Sequence, residues 1–163
     1  MKKRLCVILV AVWGMALLAG CGGETQNAAP SSPQAEPETT HETDKKEQTT
    51  MKMNVQIGDQ TFTATLADTT AAQEFAQMLP MTITLDDYGG FEKVGSLGKS
   101  LTTSNSQTTT AAGDIVLYNS SNIVMFYGSN SWSYTRLGKI DDLTGWTDAL
   151  GHGSVTAIFT LAS

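Results

Sequence analysis

The sequence is poor in the residues on which many catalytic and structural sites depend. Its 163 residues include two cysteines and two histidines. Two cysteines build neither a disulfide framework nor a four-cysteine zinc site. Basic residues are also scarce, with 10 Lys and Arg against 16 Asp and Glu, and the net charge is −6. This balance argues against a nucleic-acid partner, because nucleic-acid-binding domains carry basic patches.

Long apolar runs are equally scarce, the exception being the uncharged segment from Leu5 to Leu18, which follows three basic residues. Its 14 residues are short for a membrane span and typical of a signal peptide. The run ends in Leu18-Ala19-Gly20-Cys21, which resembles the lipobox of bacterial lipoproteins. The resemblance implies a signal peptide over 1–20, a lipid on Cys21, and a protein anchored on the outer face of the bacterial cell membrane. An uncleaved membrane anchor is the alternative.

Residues 21–50 are predicted to be a tether. After Cys21 the segment is rich in Thr and Glu, has three prolines and contains no aromatic residue. Such a composition buries too little apolar surface to offset the entropy of the chain, which predicts disorder. Because Cys6 lies in the predicted signal peptide, we expect no free thiol in the mature protein and therefore no cysteine catalysis.

Residues 51–163 are predicted to form one domain built mainly of strands. Apolar and polar residues alternate, as in strands with one buried face, in four segments: 53–57, 62–66, 81–85 and 155–161. Segments 115–118 and 123–127 are apolar on both faces, which indicates central strands of a closed or two-layered sheet. Residues 119–122 are predicted to form the turn between them.

Two short helices are predicted beside these strands. The first begins near Thr69 and places Ala72, Phe75 and Ala76 on one apolar stripe before Pro80 ends it. The second is expected between 143 and 150. The polar segment 95–112 is predicted to be a long loop. Seven or eight strands with one or two short helices indicate a β-barrel.

Four motifs follow one another along this domain: Leu79-Pro80 before a strand, Asp87-Tyr88-Gly89 running into Glu92-Lys93, Gly113-Asp114-Ile115, and Phe126-Tyr127-Gly128 with the segment from Trp132 to Ile140. Together they resemble a bacterial cyclophilin-like fold family, small barrels of uncharacterised activity that differ in sequence from true cyclophilins. The resemblance implies a closed, mainly β barrel of about eight strands with helices at its ends. It implies no particular activity, since a fold does not fix a function.

True cyclophilins isomerise X-Pro bonds with an arginine beside an apolar groove, followed closely by a phenylalanine and a glutamine. We find no such cluster, and the single arginine of the domain, Arg136, lies in the later aromatic motif. The sequence therefore predicts no catalytic residues and no cofactor. A divergent prolyl isomerase acting on exported proteins is one alternative, and an accessory to flavin or redox chemistry is another.

The candidate ligand-binding residues are Arg136, Trp132, Tyr134, Tyr127 and Glu92. A guanidinium beside aromatic rings can hold a carboxylate or phosphate, or stack on a flat ligand. Glu92 is a candidate acidic partner for Arg136. These residues predict a module that binds a small molecule or a peptide. In the alternative interpretation, Arg136 pairs with an aspartate at the rim of the barrel and the aromatic residues belong to the core.

No metal site is predicted. His152 is the only histidine of residues 51–163, and it lies between two glycines in a predicted loop. With one histidine and no cysteine, the domain lacks the ligands of a zinc site. We therefore expect His152 to be inert.

Overall fold

The structure, a computed structural model, describes residues 50–151 and 153–163. The predictions for the signal peptide, the lipid on Cys21, the tether up to residue 49 and His152 lie outside the described residues. The elements follow the order β1 (Lys52–Ile57), β2 (Gln60–Leu66), α1 (Thr70–Ala76), β3 (Met81–Tyr88), β4 (Glu92–Ser96), β5 (Ser106–Thr109), β6 (Asp114–Tyr118), β7 (Asn122–Phe126), β8 (Ser131–Ile140), α2 (Trp146–Leu150) and β9 (Val155–Leu161).

Eight of the strands close into an antiparallel barrel. They are hydrogen-bonded in the order β2-β1-β9-β3-β4-β7-β6-β8, and β8 pairs back onto β2. The remaining strand, β5, pairs with the first half of β8 outside the ring, where Thr108 lies opposite Trp132. The predicted mainly β, closed barrel with short helices is confirmed. In the described part of the chain, no helix is long and apolar enough to cross a membrane.

Apolar side chains fill the barrel, and the two helices close its opposite ends. Thr69 caps α1 by accepting a hydrogen bond from the Ala72 amide, and α1 begins just after β2 ends. At the other end, the Trp146 ring of α2 meets Phe62, near the start of β2, at a centroid distance of 5.0 Å. The Trp146 indole N–H also donates to the Phe126 carbonyl at 2.8 Å. The barrel interior is therefore sealed at both ends.

A second apolar cluster lies on the outside of the barrel, and we call it the outer cluster. It consists of Val116, Val124, Phe126 and Tyr134, with Phe91, Val94 and Tyr118 packed against it. The neighbouring residues of β6 and β7 face the interior, so both strands are buried on two faces, and this prediction is confirmed. The outer cluster positions the candidate site.

The prediction of one long loop over 95–112 is wrong at two places. Residues 95 and 96 end β4, and residues 106–109 form β5. β4 contains Glu92, Lys93, Gly95 and Ser96, and β5 reads Ser-Gln-Thr-Thr, so neither strand shows the apolar alternation that predicts a strand. Residues 97–105 do form a loop, and its buried Leu97 and Leu101 insert into the core.

Candidate ligand-binding groove

A groove opens on the outer face of the barrel directly over the outer cluster. It has a volume of about 420 Å³. We call it the aromatic groove, and its lining residues are Tyr88, Glu92, Val94, Tyr118, Val124, Asn130, Trp132 and Tyr134. These residues come from β3, β4, β6, β7 and β8 and from the turn before β8, so a rigid sheet positions most of the groove.

Tyr88 and Trp132 are the exposed aromatic residues of the groove. Tyr88 is 66% exposed and Trp132 is 56% exposed, although both side chains are large and largely apolar. Beneath them, Tyr134 is buried and packs edge-to-face against Tyr118 and Phe126, at centroid distances of 6.1 and 5.7 Å. The groove therefore combines a packed aromatic base with two exposed aromatic rings.

The Tyr134 hydroxyl is held in place by a neighbouring amide. The Asn130 side-chain nitrogen donates to this oxygen at 3.1 Å. Burial raises the pKa of Tyr134, and the negative charge of Glu92 raises it further. Tyr134 is therefore a neutral hydrogen-bonding group at physiological pH.

Glu92 is the electrostatic anomaly of the groove. Its side chain is 7% exposed, and its Oε2 atom is shielded from solvent and accepts no hydrogen bond from any residue that the structure describes. Buried carboxylates in folded proteins normally have partners, because an unpartnered charge is costly to desolvate. Burial accordingly raises the pKa of Glu92 above its usual value. One oxygen of the carboxylate, Oε2, is thus buried at the groove without a hydrogen-bond partner from the described chain.

Arg136 does not join this groove. It pairs in register with Val116, so it lies on the outward face of β8, as do Trp132 and Tyr134. Its side chain, 49% exposed, instead lies 3.9 Å from the Asp114 carboxylate, which Lys139 approaches at 3.3 Å. The expected pairing of Arg136 with Glu92 is not found. The contacts of Arg136 instead agree with the alternative interpretation, in which this residue pairs with an aspartate.

Tyr127 belongs to a different cluster, at the end of the barrel that α2 closes. Its hydroxyl donates to Asp87 at 2.8 Å, and the ammonium of Lys93 lies 5.3 Å from the centre of its ring. Burial, followed by the hydrogen bond to the carboxylate, raises the pKa of Tyr127 to about 12. The hydrogen bonds from Tyr127 and from Lys93 lower the pKa of Asp87. The structure therefore brings together three of the five candidate residues, Glu92, Trp132 and Tyr134.

The sequence prediction missed Tyr88, Tyr118 and Asn130 as groove residues. Tyr118 follows a run that is apolar on both faces, which was itself a signal that the outer face of β6 is covered. Tyr88 and Asn130 lie at a strand end and in a turn, where no periodicity marks the direction of a side chain. Within the described residues, no group of three or more His, Cys, Asp or Glu side chains is placed to hold a metal ion.

Comparison with known proteins bears on the fold. The model of the cyclophilin-like family matches residues 55–160. Among solved structures, the solution structure of the hypothetical protein AF2241 from Archaeoglobus fulgidus matches with a TM-score of 0.53 and 14% identity, covering 69% of this chain and 95% of that one. At this identity the match shows the fold alone. No curated protein matches the sequence significantly. Since the family model spans nearly the whole barrel, the chain belongs to the cyclophilin-like family.

Proposed function

We propose that this protein is a binding module whose ligand occupies the aromatic groove. The observation that carries the proposal is the pairing of two exposed aromatic side chains, Tyr88 and Trp132, with a concave, largely apolar sheet face. Concave sites lined by aromatic residues and a few polar groups are the common form of small-molecule sites. A small molecule, or one side chain of a peptide, fits a groove of about 420 Å³.

The proposed site can be tested by following Trp132 while the full chain is titrated with chemically distinct probes. The probes are flavin mononucleotide, ATP, citrate, n-butylammonium and an Ala-Pro peptide. A ligand at about 100 times its dissociation constant adds roughly 2.7 kcal/mol to the free energy of unfolding, which a thermal melt detects. We expect at least one class of probe to stabilise the chain and to shift the indole N–H resonance of Trp132.

Two variants make this test specific to the groove. Trp132→Ala should abolish the stabilisation, whereas Leu161→Ala, which truncates an exposed apolar side chain outside the groove, should leave it unchanged. A probe that stabilises the Trp132→Ala variant as much as the unaltered chain would rule out the groove as the site. Stabilisation by the Ala-Pro peptide would favour the isomerase alternative, and stabilisation by flavin mononucleotide the redox alternative.

We also propose that the binding module is anchored to the bacterial membrane by a lipid on Cys21. The support is the sequence alone: a basic start, a short apolar run and the motif Leu18-Ala19-Gly20-Cys21. Two or three acyl chains on one residue anchor a protein stably. Radiolabelled palmitate should label the unaltered chain in cells and should not label Cys21→Ala, while Cys6→Ala should be labelled normally. Equal labelling of Cys21→Ala and the unaltered chain would contradict the proposal.

A further inference from the structure

We propose that the aromatic groove recognises an organic ammonium group, which donates an N–H hydrogen bond to the Glu92 carboxylate while the aromatic side chains surround its alkyl part. This inference rests on the proposed binding function and adds the chemical class of the ligand. Three observations support it: Glu92 lacks a hydrogen-bond donor, aromatic residues surround it, and the domain is acidic.

The Oε2 atom of Glu92 lacks a hydrogen-bond partner in the described chain. Glu92 alone carries a charge among the residues that line the groove, all of which the structure describes. The nearest lysine in sequence, Lys93, points to the opposite face of β4 and has its own partners. A ligand with a cationic N–H donor supplies the missing interaction, and hydrogen bonds of this kind are stronger than neutral ones.

Aromatic and apolar side chains line the groove around the Glu92 carboxylate. Trp132 and Tyr88 present exposed aromatic rings, which attract cations through the negative potential of their faces. Val94 and Val124 add apolar surface that an alkyl chain can cover. A metal ion does not fit this chemistry, because Ca²⁺ and Mg²⁺ require several oxygen ligands and the groove offers one carboxylate. The lining therefore suits a cation that also carries hydrocarbon.

The domain as a whole is acidic. Residues 51–163 carry a net charge of −5, with five basic and ten acidic residues. A field of this sign attracts cations and repels anions. A neutral ligand of the same shape, such as an alcohol, can donate only an uncharged hydrogen bond to the Glu92 carboxylate, so it should bind more weakly than the amine.

The test compares three probes of equal chain length on the full chain: n-butylammonium, n-butanol and butyrate. Binding is followed through the indole N–H resonance of Trp132, which the Trp132→Phe variant assigns. We expect the ammonium to bind at least tenfold more tightly than the alcohol, as a charge-assisted hydrogen bond allows. Butyrate should bind more weakly than both.

Glu92→Gln removes the charge and keeps the shape of the side chain, so it should reduce the affinity for n-butylammonium about tenfold, to that of n-butanol. Asp59→Asn removes the same charge from an exposed turn outside the groove and should leave the affinity unchanged. The heteronuclear NMR spectrum of each variant reports whether the barrel remains folded. Loss of affinity in Asp59→Asn equal to that in Glu92→Gln would reduce the effect to net charge and overturn the inference.

The failure of this inference can be distinguished from the failure of the binding function. If n-butanol or butyrate binds as tightly as the ammonium, and Trp132→Ala abolishes that binding, the groove is a binding site and the ammonium inference is wrong. If no probe, including those used to test the proposed function, shifts the Trp132 resonance, both proposals fail. Nα-acetyl-lysine N-methylamide distinguishes two sources of the ammonium: tighter binding than n-butylammonium indicates a lysine of a peptide, and equal binding a free amine.

Discussion

Glu92 and Lys93 are neighbours in one strand and carry opposite charges, yet their side chains lie on opposite faces of the barrel wall and differ in their hydrogen bonds. Lys93 points inward and is fully buried, and its ammonium donates to the Asp87 carboxylate and to the carbonyls of Gly151 and Gly153 at 3.0, 3.1 and 2.6 Å. Glu92 points outward, and its Oε2 atom accepts no hydrogen bond from the described chain. Two adjacent charges therefore differ in their surroundings: Lys93 is hydrogen-bonded within the fold, and the Oε2 atom of Glu92 is not.

The two apolar regions of the barrel differ in the same way. The interior is closed at both ends by helices. The buried ammonium of Lys93 donates hydrogen bonds to one carboxylate and two backbone carbonyls. The outer cluster is covered only in part, by the half-buried Phe91, Val94 and Tyr118, and the aromatic groove opens above it. The closed interior therefore supports an apolar outer surface that is only partly covered.

The largest effect should come from removing the charge inside the barrel. Lys93→Met retains most of the side-chain volume but leaves Asp87 and two glycine carbonyls without their donor. Because Lys93 is fully buried and makes three hydrogen bonds, this variant should lose more stability than any other substitution proposed here. Urea denaturation of the variant and of the unaltered chain should show this loss, whereas Glu92→Gln should show none. Equal stability of Lys93→Met and the unaltered chain would mean that the two charges do not differ in role.

A smaller loss of stability should distinguish Gly95, on the interior face of β4, from Val94, on its groove face. A Cβ atom on Gly95 would lie 2.7 Å from side-chain atoms of Ile83 and Leu85 and 2.8 Å from the Thr84 carbonyl oxygen. Overpacking of this kind costs about 1–3 kcal/mol, so Gly95→Ala should be destabilised by that amount in urea denaturation. Val94→Ala, on the groove side, should lose less because its neighbours are partly open to solvent. The reverse order would contradict the contrast between a tight interior and an open groove.

The sequence predicted the barrel better than the site, and the reason is physical. Apolar periodicity reports burial against a sheet face, so the hairpin formed by β1 and β2, the two-sided strands β6 and β7 and the last strand, β9, were all predictable. The partner of a charge depends on which strands become neighbours in the closed barrel. Glu92 and Arg136 both lie on the outward face, yet closure places Arg136 beside Asp114. The burial of Lys93 was likewise not predictable, because a charged residue inside a barrel breaks the alternation of apolar and polar residues.

The smallest effect, and the sharpest contrast, should appear in the pH dependence of stability. Burial raises the pKa of Glu92, so the folded chain holds this proton more tightly than the unfolded chain. Stability should therefore fall as the pH rises from the ordinary glutamate value through the raised pKa, and it should be level above that. Glu92→Gln should lack this fall and should gain at most about 1 kcal/mol at neutral pH, since the buried amide still needs hydrogen-bond partners.

Asp87 should show the opposite dependence, because its partners lower its pKa in the folded chain. Its contribution to stability is present above the ordinary aspartate value and is lost as the pH falls through the lowered pKa. Urea denaturation across the acid range should therefore give difference curves of opposite slope for Glu92→Gln and Asp87→Asn, each measured against the unaltered chain. Parallel curves would show that the Glu92 carboxylate has partners in the folded protein, which would remove the basis for assigning it to a ligand.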